Sequence, residues 1–198
     1  MTLMREAGQK PADFAAEVGI DPDETLYESP KRRARSLFSD DLPADERKTA
    51  LSVQDDRAII FREPDCARLV TDSAASDGVA IQMIAGPGGA RGAMELHGGR
   101  LPASFKPGHY KVYYVARIEA ADGAQADAPA FSVRIHDGPS GKYIAERTIK
   151  VSEAASGYRS FLVGPVELGS YARLWMGHAH DDAVKAVWFD RVILVPVK

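Results

Sequence analysis

The chain has 198 residues, 45% of them hydrophobic, and it carries 25 Lys and Arg against 28 Asp and Glu for a formal net charge of -3. This size and composition are typical of a globular protein with one core, and they exclude a disordered or fibrous chain. Because the charge is near neutral and no apolar run approaches the roughly 20 residues of a membrane span, we expect neither nucleic acid nor a membrane as a partner. The single Cys allows neither an internal disulfide nor a Cys-based zinc site.

The first 51 residues differ in composition from the rest. They contain four prolines, a basic run at residues 31–35 and an acidic cluster at residues 40–46. Short helices are predicted over residues 11–18 and 29–38, where Pro stands at the start of each segment, but neither is long enough to build its own core. We therefore predict an N-terminal extension or linker, mostly irregular or short-helical, over residues 1–51 and a β-domain over residues 52–198.

The start of the sequence lacks the features of a secretory signal. It has no charged start followed by an apolar middle and a small-residue cleavage site. The chain is therefore expected to be cytoplasmic, or secreted if it is the tail of a longer protein.

From about Val53 onward the hydrophobic pattern has a period of two. Val, Ile, Tyr, Phe and Trp recur in short runs, and Gly-containing turns such as those at Ser76 and Asp137 separate them. About eight strands with no convincing helix between them predict an all-β fold, an antiparallel β-sandwich of jelly-roll type. The predicted strands are residues 58–61, 79–84, 110–119, 130–136, 143–151, 158–166, 172–177 and 184–195.

Strand alternation separates core positions from candidate surface positions. In the strand from Tyr110 to Glu119, the face that holds Tyr110 and Tyr114 is expected to point to the core, which leaves Tyr113 and Arg117 on the more polar face. The last strand, residues 184–195, is apolar on both faces apart from Lys185, Asp190 and Arg191, as expected of a central strand that is covered on both sides.

The β-domain contains, in order, the segments IIFREPDCARLVTDSAASDGVAIQM at residues 59–83, FKPGHYKVYYVARI at 105–118, FSVRIHDG at 131–138 and AVWFDRVILV at 186–195. Their order resembles that of the galactose-binding-like β-sandwiches and of the carbohydrate-binding modules that accompany glycoside hydrolases. The resemblance covers residues 59–195. It implies a non-catalytic accessory module whose partner is a glycan or a neighbouring catalytic domain.

The resemblance also implies a structural Ca²⁺ between the first and last strands. In this family, paired acidic residues early in the chain and the Asp of the last strand hold the ion. Here Glu63 matches the second early acid and Asp190 matches the late one, whereas Phe61 stands where the first would be. The other interpretation is that Asp190 is paired with an Arg such as Arg62 or Arg68, or accepts backbone N–H bonds.

The loop DSAASDG at residues 72–78 is a second cluster rich in oxygen atoms. A hard cation could bind there. The sequence favours the other interpretation, in which Asp and Ser side chains cap the turn and Gly78 takes a positive φ.

Sugar binding needs flat apolar rings for the C–H face of a pyranose and planar polar groups for its hydroxyls. Trp175 precedes a Gly and a loop and could therefore project at a rim, whereas Trp188 lies within an apolar run and is expected to be core. The predicted ligand-binding residues are Tyr113, Arg117, Arg134, His136, Trp175 and His178.

Two other functions stay open. His178 and His180 form an H-x-H pattern, which on a strand puts both imidazoles on one face, as metal-dependent jelly-roll enzymes of the cupin class require. The same segment also fits a polar hairpin tip. The sequence contains no G-x-S-x-G, H-E-x-x-H or Walker motif, so no catalytic residue is predicted for the module. A metal-dependent enzyme and a purely structural interaction domain are the alternatives to glycan binding.

Overall fold

A computed structural model describes residues 42–61, 65–86, 90–154, 156–179 and 182–197. In these ranges the chain forms eleven β-strands and single turns of 3-10 helix, with no α-helix, and no helix there is long and apolar enough to cross a membrane. The helices predicted before residue 39 lie outside the described residues. The strands are β1 (Leu51–Gln54), β2 (Ile59–Phe61), β3 (Ala67–Thr71), β4 (Val79–Met83), β5 (Ala93–His97), β6 (Gly108–Ala120), β7 (Pro129–His136), β8 (Tyr143–Lys150), β9 (Arg159–Leu168), β10 (Arg173–His178) and β11 (Val184–Pro196).

The strands form two antiparallel sheets. Sheet one has the order β3-β4-β11-β6-β9, with β1 also paired to β11, and sheet two has the order β2-β5-β10-β7-β8. The long β11 is central in sheet one, since it pairs with β6 along one edge and with β4 and then β1 along the other. This architecture confirms the predicted antiparallel β-sandwich.

The interior between the sheets follows the period-two pattern of the sequence. Tyr110, Val112, Tyr114, Ala116 and Ile118 of β6 all point into the main core cluster, as the alternation predicts. They meet the inward residues of β7 and β10 from the other sheet. Burying each large apolar side chain of this set contributes about 1.5–3 kcal/mol.

The strand count exceeds the prediction because β1, β3 and β5 were missed. β1 has only four residues. β3 is an edge strand whose side chains are mostly exposed, so it lacks a continuous apolar face. β5 has the sequence AMELH, in which two ionisable residues stand at alternate positions. Each of these strands is short or polar on one face, and their hydrophobic signal is correspondingly weak.

The segment at residues 42–50 packs on the outer side of sheet one. Leu42 is buried in a cluster with Tyr113, Val115 and other residues of that face. Glu46 accepts a hydrogen bond from the Lys111 amine at 2.5 Å and another from the Tyr113 hydroxyl at 2.7 Å. Part of the outer face of sheet one is therefore covered by the chain itself. The division between residues 1–51 and 52–198 stays a prediction.

Candidate functional site

The outer face of sheet two, here called the open face, carries the functional groups of interest. On β10, Leu174 and Met176 point into the core, so Arg173, Trp175 and Gly177 point outward. The same alternation on the neighbouring strands turns a row of polar side chains in this direction. The open face comprises Glu95, His97, Arg134, His136, Tyr143, Glu146, Arg173, Trp175 and Gly177.

Trp175 lies at the centre of the open face, opposite Glu95 on one neighbouring strand and Arg134 on the other. A methyl group at Gly177 would come within 2.5 Å of the ring atoms Cη2 and Cζ2 of Trp175. The six-membered ring of the indole therefore occupies the space above Gly177 and lies along the strand. This arrangement needs the glycine.

Two guanidinium groups hold the indole in place. The Cζ atoms of Arg134 and Arg91 lie 5.0 and 5.4 Å from the Trp175 ring centroid, which is within the range of cation–π attraction. Arg134 is itself fixed, because its Nε donates a hydrogen bond of 2.7 Å to Glu146 Oε1. The aromatic surface is thus preorganised by charged neighbours.

The aromatic rings of Tyr143 and His136 lie next to each other at the β8 edge of the open face. The Tyr143 ring is 4.4 Å from the His136 ring, centroid to centroid, and 5.4 Å from Arg134 Cζ. Burial lowers the pKa of His136, and the positive charge of Arg173 lowers it further. At neutral pH the lowered pKa favours the neutral form of His136, which both donates and accepts hydrogen bonds.

Glu95 connects the polar groups on the other side of Trp175. His97 Nε2 lies 2.5 Å from Glu95 Oε1, and one guanidinium nitrogen of Arg173 lies 3.8 Å from the same oxygen. The Glu95 side chain is nearly buried, whereas those of His97 and Arg173 are about two-fifths exposed. The carboxylate thus orients two more exposed groups that can reach a ligand.

The structure brings together three of the six predicted ligand-binding residues, namely Arg134, His136 and Trp175. The other three lie elsewhere. Tyr113 is on sheet one, beneath the segment that carries Glu46. His178 is fully buried between the sheets, where its Nε2 lies 2.9 Å from a backbone carbonyl oxygen.

Arg117 also lies on sheet one, in a closely packed cluster. Its guanidinium carbon is 3.8 Å from the centroid of the Trp188 ring. Its Nε and Nη2 lie 2.9 and 2.8 Å from Asp72 Oδ2, an atom that also accepts a hydrogen bond from the Tyr158 hydroxyl. Trp188 is buried as predicted, although on the outer side of its sheet rather than between the sheets.

Asp190 has partners within the protein. Its Oδ1 accepts hydrogen bonds from the backbone N–H and the hydroxyl of Ser76, at 3.1 and 2.8 Å, and its Oδ2 lies 3.6 Å from Arg191. Burial raises the pKa of Asp190 in spite of these contacts. The backbone N–H alternative is thus met by Ser76, whereas the neighbouring arginine is Arg191 and not the predicted Arg68, whose Nε donates to Gln82 Oε1 at 3.2 Å.

The metal predictions depend on residues that the structure does not describe. Glu63 of the predicted Ca²⁺ site and His180 of the H-x-H pattern both lie outside the described residues, as does Arg62. Among the described residues, no group of three or more His, Cys, Asp and Glu could hold a metal ion. The Ca²⁺ site at Glu63 and Asp190 therefore stays a prediction.

In the loop at residues 72–78 the two aspartates cap the turn, as predicted, whereas the Ser76 hydroxyl donates to Asp190. Asp72 Oδ1 accepts a hydrogen bond from the Ala74 N–H at 3.0 Å, and Asp77 Oδ1 accepts one from the Val79 N–H at 3.1 Å. Gly78 has a φ of 88°, as expected for a glycine that closes such a turn.

Several residues of the open face were absent from the sequence prediction. Glu95 and His97 lie on β5, a strand that the hydrophobic pattern did not indicate. Arg173 and Gly177, in contrast, could have been found, because they alternate with Trp175 along the predicted strand 172–177 and must share its face.

No protein-family model matches the sequence, and no curated protein matches it significantly. Several solved structures, in contrast, match the fold of this chain. An isomalto-dextranase from Arthrobacter globiformis, in complex with panose, is 11% identical with a TM-score of 0.50 over 74% of this chain and 23% of that one. A family 35 carbohydrate-binding module from Clostridium thermocellum is 11% identical with a TM-score of 0.48, over 75% of this chain and 98% of the module.

An exo-β-1,3-galactanase from Phanerochaete chrysosporium is also similar, with 12% identity and a TM-score of 0.48 over 74% of this chain and 29% of the galactanase. The chain thus spans less than a third of either enzyme's length. At these identities the likeness concerns the fold alone. The described part of the chain has the antiparallel β-sandwich fold that its sequence resemblance implies.

Proposed function

We propose that the protein is a carbohydrate-binding β-sandwich module that holds a glycan on the open face of sheet two. The observation that carries this proposal is the indole of Trp175, which lies along the strand over Gly177 and is flanked by Arg91 and Arg134. A partly exposed aromatic ring fixed in one orientation is the surface against which the C–H face of a pyranose packs. Such a ring loses little conformational entropy on binding, because its neighbours already hold it.

The polar groups around the ring suit sugar hydroxyls. Arg134 and Arg173 supply planar fans of N–H donors, and Glu146 supplies carboxylate oxygens as acceptors. Neutral His136 supplies either role. Hydrogen bonds between hydroxyls and charged groups contribute about 1.5–3 kcal/mol each before exposure reduces them, so a few suffice for the modest affinity of an open surface site.

We also propose that this module has no catalytic role. His178 points into the core and cannot act together with a ligand on the open face. We propose that the module accompanies a catalytic domain and keeps it near its polysaccharide. A module of this kind contributes effective concentration rather than chemistry.

Glycan binding is tested by isothermal titration and by affinity electrophoresis in gels that contain polysaccharides. The panel includes panose, β-1,3-galacto-oligosaccharides, xylo-oligosaccharides and the corresponding polymers. We expect Trp175→Ala to reduce the affinity of the sugar that binds by at least tenfold, and Arg134→Ala to reduce it several-fold. The matched control is Arg68→Ala, which removes an arginine from the edge of sheet one, where its Nε donates a hydrogen bond of 3.2 Å to Gln82 Oε1.

The control is expected to bind as the wild type does. Thermal unfolding of each variant shows whether the sandwich is intact. The proposal is wrong if no sugar of the panel binds the wild type, or if folded Trp175→Ala binds as tightly as the wild type. The first outcome would leave the structural interaction domain as the better interpretation.

A further inference from the structure

A cleft lies at one end of the open face, where three connections meet. These are the 3-10 turn after β5, the loop between β7 and β8, and the turn between β9 and β10. The cleft has a volume of about 590 Å³, within the range of pockets that bind small molecules. Its lining includes His97, Gly98, Gly138, Pro139, Tyr171 and Arg173.

The cleft is preformed, because its loops pack tightly against one another at two glycines. A methyl group at Gly98 would come within 2.2 Å of the Ser170 carbonyl oxygen, and one at Gly138 within 1.9 Å of the Tyr171 carbonyl oxygen. The Gly98 N–H also donates a hydrogen bond of 2.8 Å to Ala172. The turn between β9 and β10 is thus fixed by backbone contacts from both sides, so the cleft needs no rearrangement before it binds.

Tyr171 supplies the cleft with an aromatic wall. The residue is 72% exposed, more than any other exposed large hydrophobic residue among those described. The backbone of Tyr171 nevertheless packs tightly against Gly138. A large ring on a fixed backbone, with Pro139 also in the lining, offers an apolar surface that a sugar ring can cover.

The polar end of the cleft belongs also to the open face. Arg173 and His97 are register partners on β10 and β5, and both line the cleft. Tyr171 lies in the turn before β10 and precedes Trp175 by four residues, so the backbone separation between them is at most about 14 Å. A short oligosaccharide can span such a distance.

We propose that the cleft is a second sugar subsite, continuous with the first, and that one glycan chain lies along β10 from Trp175 to Tyr171. One sugar unit packs on Trp175, and a later unit enters the cleft against Tyr171, with Arg173 and His97 contacting the units between them. The protein then recognises the length of an oligosaccharide and not a single sugar. This inference rests on the proposed function, since it extends the same glycan.

Chain-length dependence of binding tests the inference. Xylo-oligosaccharides, β-1,3-galacto-oligosaccharides and isomalto-oligosaccharides of one to six units are titrated into the wild type, Tyr171→Ala and Trp175→Ala. We expect the wild-type affinity to rise at least tenfold between two and four or more units in the series that binds. Tyr171→Ala is expected to lose this rise while it binds the shortest ligands as the wild type does.

The matched control is Leu69→Ala, which removes an exposed apolar side chain from β3 of sheet one, away from the open face, and should preserve the rise with chain length. The second variant at the cleft, Tyr171→Phe, keeps the apolar ring and should also preserve it. If Trp175→Ala abolishes binding but Tyr171→Ala follows the wild type at every length, the cleft is not a subsite, although the open face still binds glycan. If no series binds the wild type, both proposals are wrong.

Discussion

Replacing Asp72 with Asn tests the cluster that fixes the outer side of sheet one. The Asp72 carboxylate is almost buried and accepts hydrogen bonds from the Ala74 N–H, the Tyr158 hydroxyl and the Arg117 guanidinium at 2.8–3.0 Å. An Asn side chain has nearly the same shape and can keep the bond from Ala74. It offers no charged oxygen to Arg117, whose guanidinium lies over Trp188.

The expected loss in the free energy of unfolding follows from the burial of the Asp72–Arg117 ion pair. Removing one partner of a fully buried ion pair costs about 3–5 kcal/mol, and exposed pairs contribute only about 0–1 kcal/mol. The Asp72 side chain is 8% exposed and that of Arg117 is 19% exposed, so the pair lies nearer the buried limit. Because Asn keeps part of the network, we expect Asp72→Asn to lower the free energy of unfolding by about 2 kcal/mol.

The assay is urea unfolding of the full chain followed by tryptophan fluorescence, with the free energy extrapolated to water. The control is Asp137→Asn, the same chemical change in the exposed turn between β7 and β8. Its turn bond from the Ser140 N–H can be made by an Asn oxygen, so its effect is expected within about 0.5 kcal/mol of zero. Equal effects of the two substitutions would refute the reasoning.

The pH dependence of the same variant gives an independent check. Burial raises the pKa of Asp72, but the hydrogen bonds from Ala74, Tyr158 and Arg117 outweigh this effect and the net pKa is lowered. The stabilisation is therefore fully present above the unfolded value of about 3.9 and is lost as the pH falls through the folded pKa. The difference in stability between wild type and Asp72→Asn should be constant from pH 5 to pH 8 and should shrink below pH 4.

Further outcomes can be measured on single variants. Gly78→Ala should cost about 1 kcal/mol in urea unfolding because φ is 88° there, whereas Gly157→Ala, at an open position without a positive φ, should be nearly neutral. Glu46→Gln should destabilise by about 1 kcal/mol, since the amide no longer pairs with the lysine that lowers the pKa of this carboxyl. Because burial lowers the pKa of His136, the wild type should lose thermal stability relative to His136→Gln as the pH falls below about 6.5. Gly177→Ala should tilt the indole of the open face and weaken glycan binding in the titration assay while the protein remains folded, since its methyl group would lie 2.5 Å from the ring.

Strand alternation predicted much of the fold but could not assign strands to sheets. It placed Tyr114 in the core and Tyr113 on the outer face of β6, and the structure confirms both. It could not show that β6 belongs to sheet one while β7 and β10 are neighbours in sheet two. Pairing between distant strands depends on the connections and on the packing of the whole core, which a local pattern does not contain. Tyr113 and Arg134 were therefore grouped although they lie on different sheets.

Strand alternation also excludes His178 from the face that holds Trp175, and the ligand-binding prediction did not take this into account. Trp175 and His178 are three residues apart on one strand, so their side chains must point to opposite faces. Only one of them can lie on the open face, and the structure places His178 inside. The roles of Glu95 and His97, in contrast, had no comparable sequence signal, because β5 is short and half polar.

The glycine contacts of the cleft constrain how this protein can be redesigned. Gly98 and Gly138 press against the backbone at Ser170 and Tyr171, so lengthening any one of the three connections would displace the others. Side chains at Tyr171 and Pro139 project from this fixed frame and can be varied without that penalty. A library for new binding specificities should therefore randomise side chains at constant loop length and leave both glycines unchanged.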